Sequence, residues 1–533
     1  MRRLAGAVLL CLCGSVYGAS WTPLSRAAPQ GIGTMLLLTD GTVMAQSSTF
    51  YDTWFRLTPS STGSYADGTW TELAPMRTPR LYFASEILPD GRVWVLGGEY
   101  SGRPLQQNIT NTGEIYDPGT DSWTPSAPHP EASFGDDPSM LLPGGTVLAG
   151  SIFTSSTWLY DIASDSWRFA ASKVYGDRSD EEGWVKLPDG RVLSYDLFWS
   201  VSTGGSYAET YDPAANVWRS ISPSDHSATG FIPQLSSSTV GYELGPMLRL
   251  RGRGAGKVFI VGATGHTALY DIRRNDWQAG PDVMGLLNGA SGLFGTDDGP
   301  AAVLPDGRVL FVADASPTTH RTYSAPSQLF LYDPVSNAIQ PTAPPSPLTP
   351  TLAVQPAFVF RLLVLPTGEV LMSVSGAGLW IYTPDGTADP RARPRIDAIR
   401  YDGGGQYTLT GRNLNGQSAG AAYGDDVEND ENYPLVRITS ETGNVLYGRT
   451  FGWSSTGIDV RTGESVRFTL NPSTTPGWYR LETVGAGIAS EPVCLFLPAP
   501  DRRRHGEEEG PGIRTGRCPG SRERNEEREL RDR

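Results

Sequence analysis

Cysteine is scarce in this chain: 4 in 533 residues. Cys11 and Cys13 lie in an apolar run at the N-terminus, which leaves Cys494 and Cys518, and a disulfide-built fold is excluded. Histidine is almost as rare, at 5 residues, so a multi-histidine metal centre is hard to assemble. Beyond the N-terminus no apolar run is long enough to span a bilayer, so no integral membrane segment is expected. Positive charge is in deficit. The net charge of -14 argues against nucleic acid or an anionic membrane as partner.

Residues 1–19 read as a secretory signal. Arg2 and Arg3 precede the run Leu4 to Cys13, and small residues follow at Gly18 and Ala19. The plain alternative is a short buried helix. Secretion is the expected localisation. Asn108-Ile-Thr110 is then a glycosylation acceptor in a eukaryotic host, although such tripeptides are common by chance.

Glycine and proline are plentiful, at 62 and 42 residues. They punctuate a repeat. A hydrophobic strand ends in a tight turn at Leu38-Thr-Asp-Gly41, Leu88-Pro-Asp-Gly91, Leu142-Pro-Gly-Gly145, Leu187-Pro-Asp-Gly190, Leu250-Arg-Gly-Arg253, Leu304-Pro-Asp-Gly307 and Leu365-Pro-Thr-Gly368. Proline presets φ, glycine takes the φ > 0 position, and aspartate bonds its own backbone. The spacing, roughly 45–63 residues, is near the ~50-residue kelch period and implies stacked four-stranded sheets around an axis.

The second unit is the clearest. Strands run from Ala84 to Leu88, Val93 to Gly97 and Gly113 to Tyr116, and Trp123 begins the fourth. The Tyr-Asp turn with a following Trp returns at Tyr160 and Trp167, Tyr211 and Trp218, and Tyr270 and Trp277, whereas Tyr332 is followed by Ile339. A recurring Trp reads as packing between sheets, with a sugar platform as the alternative. The last unit supplies three strands, from Ala357 to Leu365, Glu369 to Val374 and Leu379 to Tyr382. Trp21-Thr-Pro-Leu24 matches the missing fourth, so the N-terminal strand is predicted to close the ring.

Strand parity then places the segments before each innermost strand, and the loops between second and third strands, on one axial face. They are acidic. Asp136 and Asp137 precede the third unit; Asp180, Glu181 and Glu182 precede the fourth; Glu243 precedes the fifth; Asp297 and Asp298 precede the sixth. Arg80 and Tyr82 precede the second, Arg178 lies beside Asp180, and loops add Glu99, Tyr100, Asp196, His266 and Asp314. Crowded carboxylates have raised pKa values unless a cation compensates, and Arg80 and Arg178 are available for that. Such a mouth could bind Ca²⁺, accept from sugar hydroxyls, or supply a general acid and base. The bland alternative is that the acids bond to backbone amides and keep neighbouring sheets from slipping.

After Pro390 a second series of alternating strands begins at Pro394 and ends near Leu497, which reads as a β-sandwich of about 100 residues. Residues 424–433 form an acidic loop within it; a Ca²⁺ site is conceivable there, a solvated loop the simpler reading. Residues 499–533 have almost no apolar content and are expected to be disordered. The expected organisation is therefore a signal over 1–19, a seven-bladed kelch-type β-propeller over 20–390, an immunoglobulin-like sandwich over 393–498, and a charged tail.

Residues 20–498 resemble the galactose oxidase and glyoxal oxidase group of kelch proteins. Seven units, N-terminal closure, and the segments Tyr423-Gly-Asp-Asp-Val427, Asn432-Tyr-Pro-Leu-Val436 and Phe451-Gly-Trp-Ser454 carry the likeness. It implies an all-β propeller followed by an early-set domain. The family's oxidases hold copper through two Tyr and two His, with one Tyr cross-linked to Cys. Residues 20–390 contain no Cys and no Tyr-His pair, and residues 393–498 contain no His, so copper is not expected. Three functions remain. The first is a secreted, monomeric binder of a polyhydroxylated ligand such as glycan or cell-wall material. The second is a non-redox hydrolase, lyase or isomerase with Asp180, Glu182 and His266 as catalytic groups. In that reading Arg80 or Arg178 orients an anionic portion of the substrate. The third is a protein-interaction scaffold.

Overall fold

Each turn phrase closes a hairpin. In six of the seven, the leucine N–H bonds to the carbonyl four residues on, as Leu88 does to Arg92 at 2.8 Å, and Leu250 reaches to Lys257 at 3.0 Å. Gly91 and Gly307 take φ values of 82° and 91°, which a residue with a Cβ adopts only under strain. Asp90 accepts the Arg92 N–H at 3.0 Å, and Asp189 and Asp306 repeat this bond.

The computed structural model describes residues 18–315, 324–418, 422–423, 426–427 and 433–497. The expected signal, the charged tail and most of the acidic loop lie outside these. Among the described residues seven blades follow in chain order, each built on four antiparallel strands a to d running outward from the axis, and Thr229–Gly230 adds a parallel strand at the outer edge of blade five. Blade one spans Ile32–Leu37 to Thr69–Leu73, and blade two Ala84–Ile87 to Ser122–Ser126. Blades three to six have their innermost strands at Ser139–Leu141, Trp184–Lys186, Met247–Arg249 and Ala301–Val303. Blade seven uses Arg361–Val364, Val370–Ser373 and Trp380–Thr383, and Ser20–Pro23 completes it as the fourth strand, with Trp21 opposite Tyr382. The predicted closure is therefore observed. One correction applies at its start: Ala357–Val359 is a 3₁₀ turn, and the strand begins only at Arg361.

The Tyr and Trp of each repeat stand directly opposite in strands c and d. Tyr116 pairs with Trp123, Tyr160 with Trp167, Tyr211 with Trp218 and Tyr270 with Trp277. The Trp ties blades together. Trp123, Trp167 and Trp277 donate Nε1–H to Ala74, Ala127 and Ile221 carbonyls just beyond the preceding blade, at 2.8–3.0 Å. A second recurring residue went unread in the sequence. The Tyr hydroxyl is bonded by an Asp or Asn five positions on, at Asp121, Asp165, Asn216, Asn275 and Asn337, each with φ near 50°. Asp and Asn tolerate this left-handed conformation, which is why they recur there.

The sandwich, from Arg395–Gly403 to Val493–Leu497, covers the face that carries the turn phrases. Gly452 N–H bonds to Pro89 O at 2.6 Å, and Lys186 Nζ to Thr456 O at 3.0 Å. Blade five departs from Pro-Asp-Gly because its arginines clamp this interface. Arg251 donates to carbonyls of Val303, Leu304 and Ala486, and Arg249 pairs with Asp459 at 2.9 Å. A hairpin of the sandwich, Ala422–Tyr423 with Asp426–Val427, enters the axis. Its backbone pairs with Trp184 of blade four and lies against the innermost strands of blades one to four. Cys494 is disulfide-bonded, and its partner lies outside the described residues.

Candidate functional site

Among the described residues the sandwich meets the turn face, and the segments before each strand a lie on the opposite face. Acids from three successive blades converge there. Glu181 precedes blade four, Glu243 precedes blade five and Asp298 precedes blade six, and one carboxylate oxygen of each lies within 4.8 Å of the others. Glu181 and Glu243 are half-buried and Asp298 is buried. The backbone that presents them is cross-linked. Glu181 N–H bonds to Asp136 O at 3.0 Å, and Asp298 N–H to Leu244 O at 3.2 Å. Three carboxylates at this spacing offer the oxygen ligands that Ca²⁺ takes.

Further acids surround the trio. Burial raises the Asp137 carboxyl well above its ordinary range, and Asp180 adds to the rise. Asp180 itself is pushed up to about 6, first by burial, then by the charges of Glu99 and Asp177, against the pull of Arg178. Arg178 pairs with Asp180 at 3.0 Å while its guanidinium lies 3.6 Å over the Phe198 ring. Tyr82 and Tyr100 meet edge to face at 5.9 Å, and Glu99 accepts from Gln107 at 2.6 Å. Asn108, the predicted glycosylation acceptor, is exposed on the neighbouring loop.

Other predicted members are placed differently. Arg80, expected to compensate the mouth or orient a ligand, is fully buried and donates to Gly97 O, Thr112 O and Glu114 at 2.6–2.9 Å. It ties blade two together. Glu182, expected as a catalytic group, is also fully enclosed, bonded to Lys173, to Ser194 at 2.9 Å and to Trp184 at 3.3 Å. Glu181 turns toward the mouth at a left-handed turn position, φ 58°, and the next residue, Glu182, faces inward. Asp297 accepts the Tyr242 N–H at 3.2 Å. His266, 42% exposed, bonds to Asp282 at 2.8 Å on the rim.

Several acids therefore do what the bland alternative supposed, and the sequence had not singled out most of them. Glu114 accepts from Arg77 and Thr78 N–H, Glu209 from Val174 N–H and Asp314 from Ala357 N–H, each joining one blade to a linking segment. Glu114 and Glu209 sit two residues before the repeat Tyr on strand c, a polar position in an otherwise apolar strand, which was the available signal. Among the described residues, His129 is enclosed by Phe134, Trp158 and Trp167 and pushed down to about 3 by burial, His226 caps a short 3₁₀ turn, and His266 faces Asp282.

Comparison with known proteins agrees with this architecture. The Kelch motif family model matches residues 87–130. Kelch-like protein terF of Aspergillus terreus is 26% identical over 276 residues, which cover 49% of this chain and 56% of that protein. An F-box/kelch-repeat protein of Arabidopsis thaliana is 43% identical over 56 residues, covering 10% of this chain and 15% of that protein. The chain thus spans little more than half the length of the first of these relatives and much less of the second. A solved structure, described as a novel fungal alcohol oxidase with catalytic diversity among the AA5 family in complex with copper, superposes with a TM-score of 0.50 at 13% identity. It covers 91% of this chain and 100% of its own. That likeness is one of fold. With its seven sheets and its turn phrases, the chain has the fold of a kelch-type β-propeller followed by a β-sandwich, and residues 87–130 carry a Kelch motif.

Proposed function

We propose that this is a secreted propeller of the galactose oxidase-like group that binds a polyhydroxylated ligand, glycan or cell-wall material, at its acidic axial mouth without copper-radical chemistry. The observation that carries this reading is the convergence of Glu181, Glu243 and Asp298 from three blades on the axial face opposite the turn phrases. Carboxylates accept hydrogen bonds from hydroxyl groups, and charge-assisted bonds of this kind are stronger than neutral ones. The same trio could hold Ca²⁺, which sugar hydroxyls can also coordinate. Titration calorimetry of the full chain with soluble oligosaccharides, with and without added calcium, tests the reading. The triple variant Glu181→Gln/Glu243→Gln/Asp298→Asn is expected to weaken binding at least tenfold, and unchanged affinity would overturn the mouth as the site. Stoichiometric copper in the purified protein would overturn the non-oxidase reading.

One observation favours a second reading, a non-redox acid–base enzyme. Asp180 is part-exposed at the mouth, and burial pushes its carboxyl up to about 6, where a group can both hold and release a proton. Asp180→Asn separates the two. An enzyme loses turnover with its ligand affinity intact, whereas a binder shows only the change in affinity.

A further inference from the structure

Beside the acidic centre lies an exposed aromatic surface that the carboxylates do not explain. Trp199 sits on the short helix Leu197–Thr203, which Asp196 caps by accepting the Trp199 backbone N–H at 3.1 Å. The residue is 37% exposed. It stacks on Tyr175 with centroids 6.0 Å apart and planes inclined by 13°, and Tyr207 meets Tyr175 edge-on at 5.0 Å. The Tyr175 hydroxyl is held by Ser222 at 2.6 Å and Asp225 at 2.7 Å, so the base of the stack is fixed from below. The rings continue inward. Phe198 lies under Arg178 and 5.4 Å from Tyr242, whose backbone is bonded to Asp297 and whose neighbour is Glu243.

Burying a Trp face is worth more than leaving it in water, so a rigid, uncovered indole leading to polar acceptors fits an amphipathic partner. A pyranose ring has that character: an apolar C–H face and a hydroxyl rim. The charge of the surroundings selects further, since Asp225, Asp180, Glu181 and Glu243 repel a uronate and Arg178 is already paired with Asp180.

We propose that Trp199, on its Tyr175–Tyr207 base, is a stacking platform for one pyranose ring of a neutral or ammonium-bearing glycan whose adjoining residue reaches the acidic mouth. This rests on the ligand class proposed above and adds a subsite and a charge preference to it. The test is titration of the full chain with cellohexaose, glucosamine hexamer and galacturonic acid hexamer. Both of the first two are expected to bind at least tenfold more tightly than the third. Trp199→Ala is expected to weaken them tenfold or more, and Trp199→Phe less than threefold. The difference in emission between the parent chain and Trp199→Phe isolates this indole, and it should shift to the blue on saturation even if the alanine variant folds poorly. Full affinity in Trp199→Ala, or an unmoved difference spectrum, overturns the platform while leaving the mouth reading intact. Tightest binding of the galacturonate overturns the charge preference. Absence of binding by all three overturns the platform and the ligand class together.

Discussion

At the scale of single residues, burial decides which charges are structural. Arg80 has no exposed surface, and Glu114 answers it with a bond of 2.9 Å while also accepting two backbone N–H groups. Replacing Arg80 by Met leaves Glu114 buried and unpaired, which is expected to cost about 3–5 kcal/mol. Denaturant unfolding of Arg80→Met against the parent checks this, and Arg80→Met/Glu114→Gln should recover part of the loss. Asp121 makes a smaller but repeated contribution. Its side chain takes the Tyr116 hydroxyl at 2.8 Å and the Ala74 N–H at 2.9 Å, and its φ is 49°. Asp121→Ala forfeits both bonds and places a Cβ residue with no local acceptor in the left-handed region, so a loss of about 2 kcal/mol is expected in the same measurement.

At the scale of elements, the segment leading into blade four is held by buried charge. Lys173 meets Glu182, Asp196 at 3.2 Å and Glu209 at 3.8 Å, all without exposure. One ammonium cannot neutralise three carboxylates in a dry site, so a proton stays on the cluster. Burial pushes Glu182 up to about 7 and Glu209 well above its ordinary range, and Asp196 opposes the ionisation of both. A carboxyl raised on folding binds its proton more tightly in the native state, so its stabilisation is complete below the unfolded value and fades as pH rises through the folded one. The melting temperature is therefore expected to fall between pH 5 and pH 8, by an amount on the order of a few kcal/mol in stability. Glu182→Gln should flatten that slope. A melting temperature that rises over the same range would show that the cluster is fully ionised.

At the scale of the whole molecule, closure is the decisive contact. Ser20–Pro23 covers the edge of Trp380–Thr383, Trp21 packs 4.9 Å from Tyr382, and its indole N–H reaches Ala343 O at 3.1 Å. A chain lacking residues 18–24 exposes an unpaired strand and unlocks the ring. Such an edge pairs with other chains, so light scattering on heating should begin at a lower temperature than for the parent. Trp21→Ala, which keeps the backbone pairing, should show a smaller effect.

What the sequence by itself determined is the repeat, and local chemistry is the reason. Leu-Pro-Asp-Gly can do little but turn, and strands with a Tyr followed seven residues later by Trp must place the two rings opposite each other. Closure was legible for the same reason, because Trp21-Thr-Pro-Leu24 carries the signature of the strand that blade seven lacks. The tertiary structure alone decided which acids face the mouth. Glu181 and Glu182 are adjacent and chemically alike, yet one joins Glu243 and Asp298 and the other is sealed against Lys173. Nothing local distinguishes them, because the difference comes from a backbone path with Glu181 at φ 58° and from partners tens of residues away on other blades. The same holds for the axial hairpin and for the covered turn face: both depend on how two separately patterned domains meet, which no periodicity within either one records.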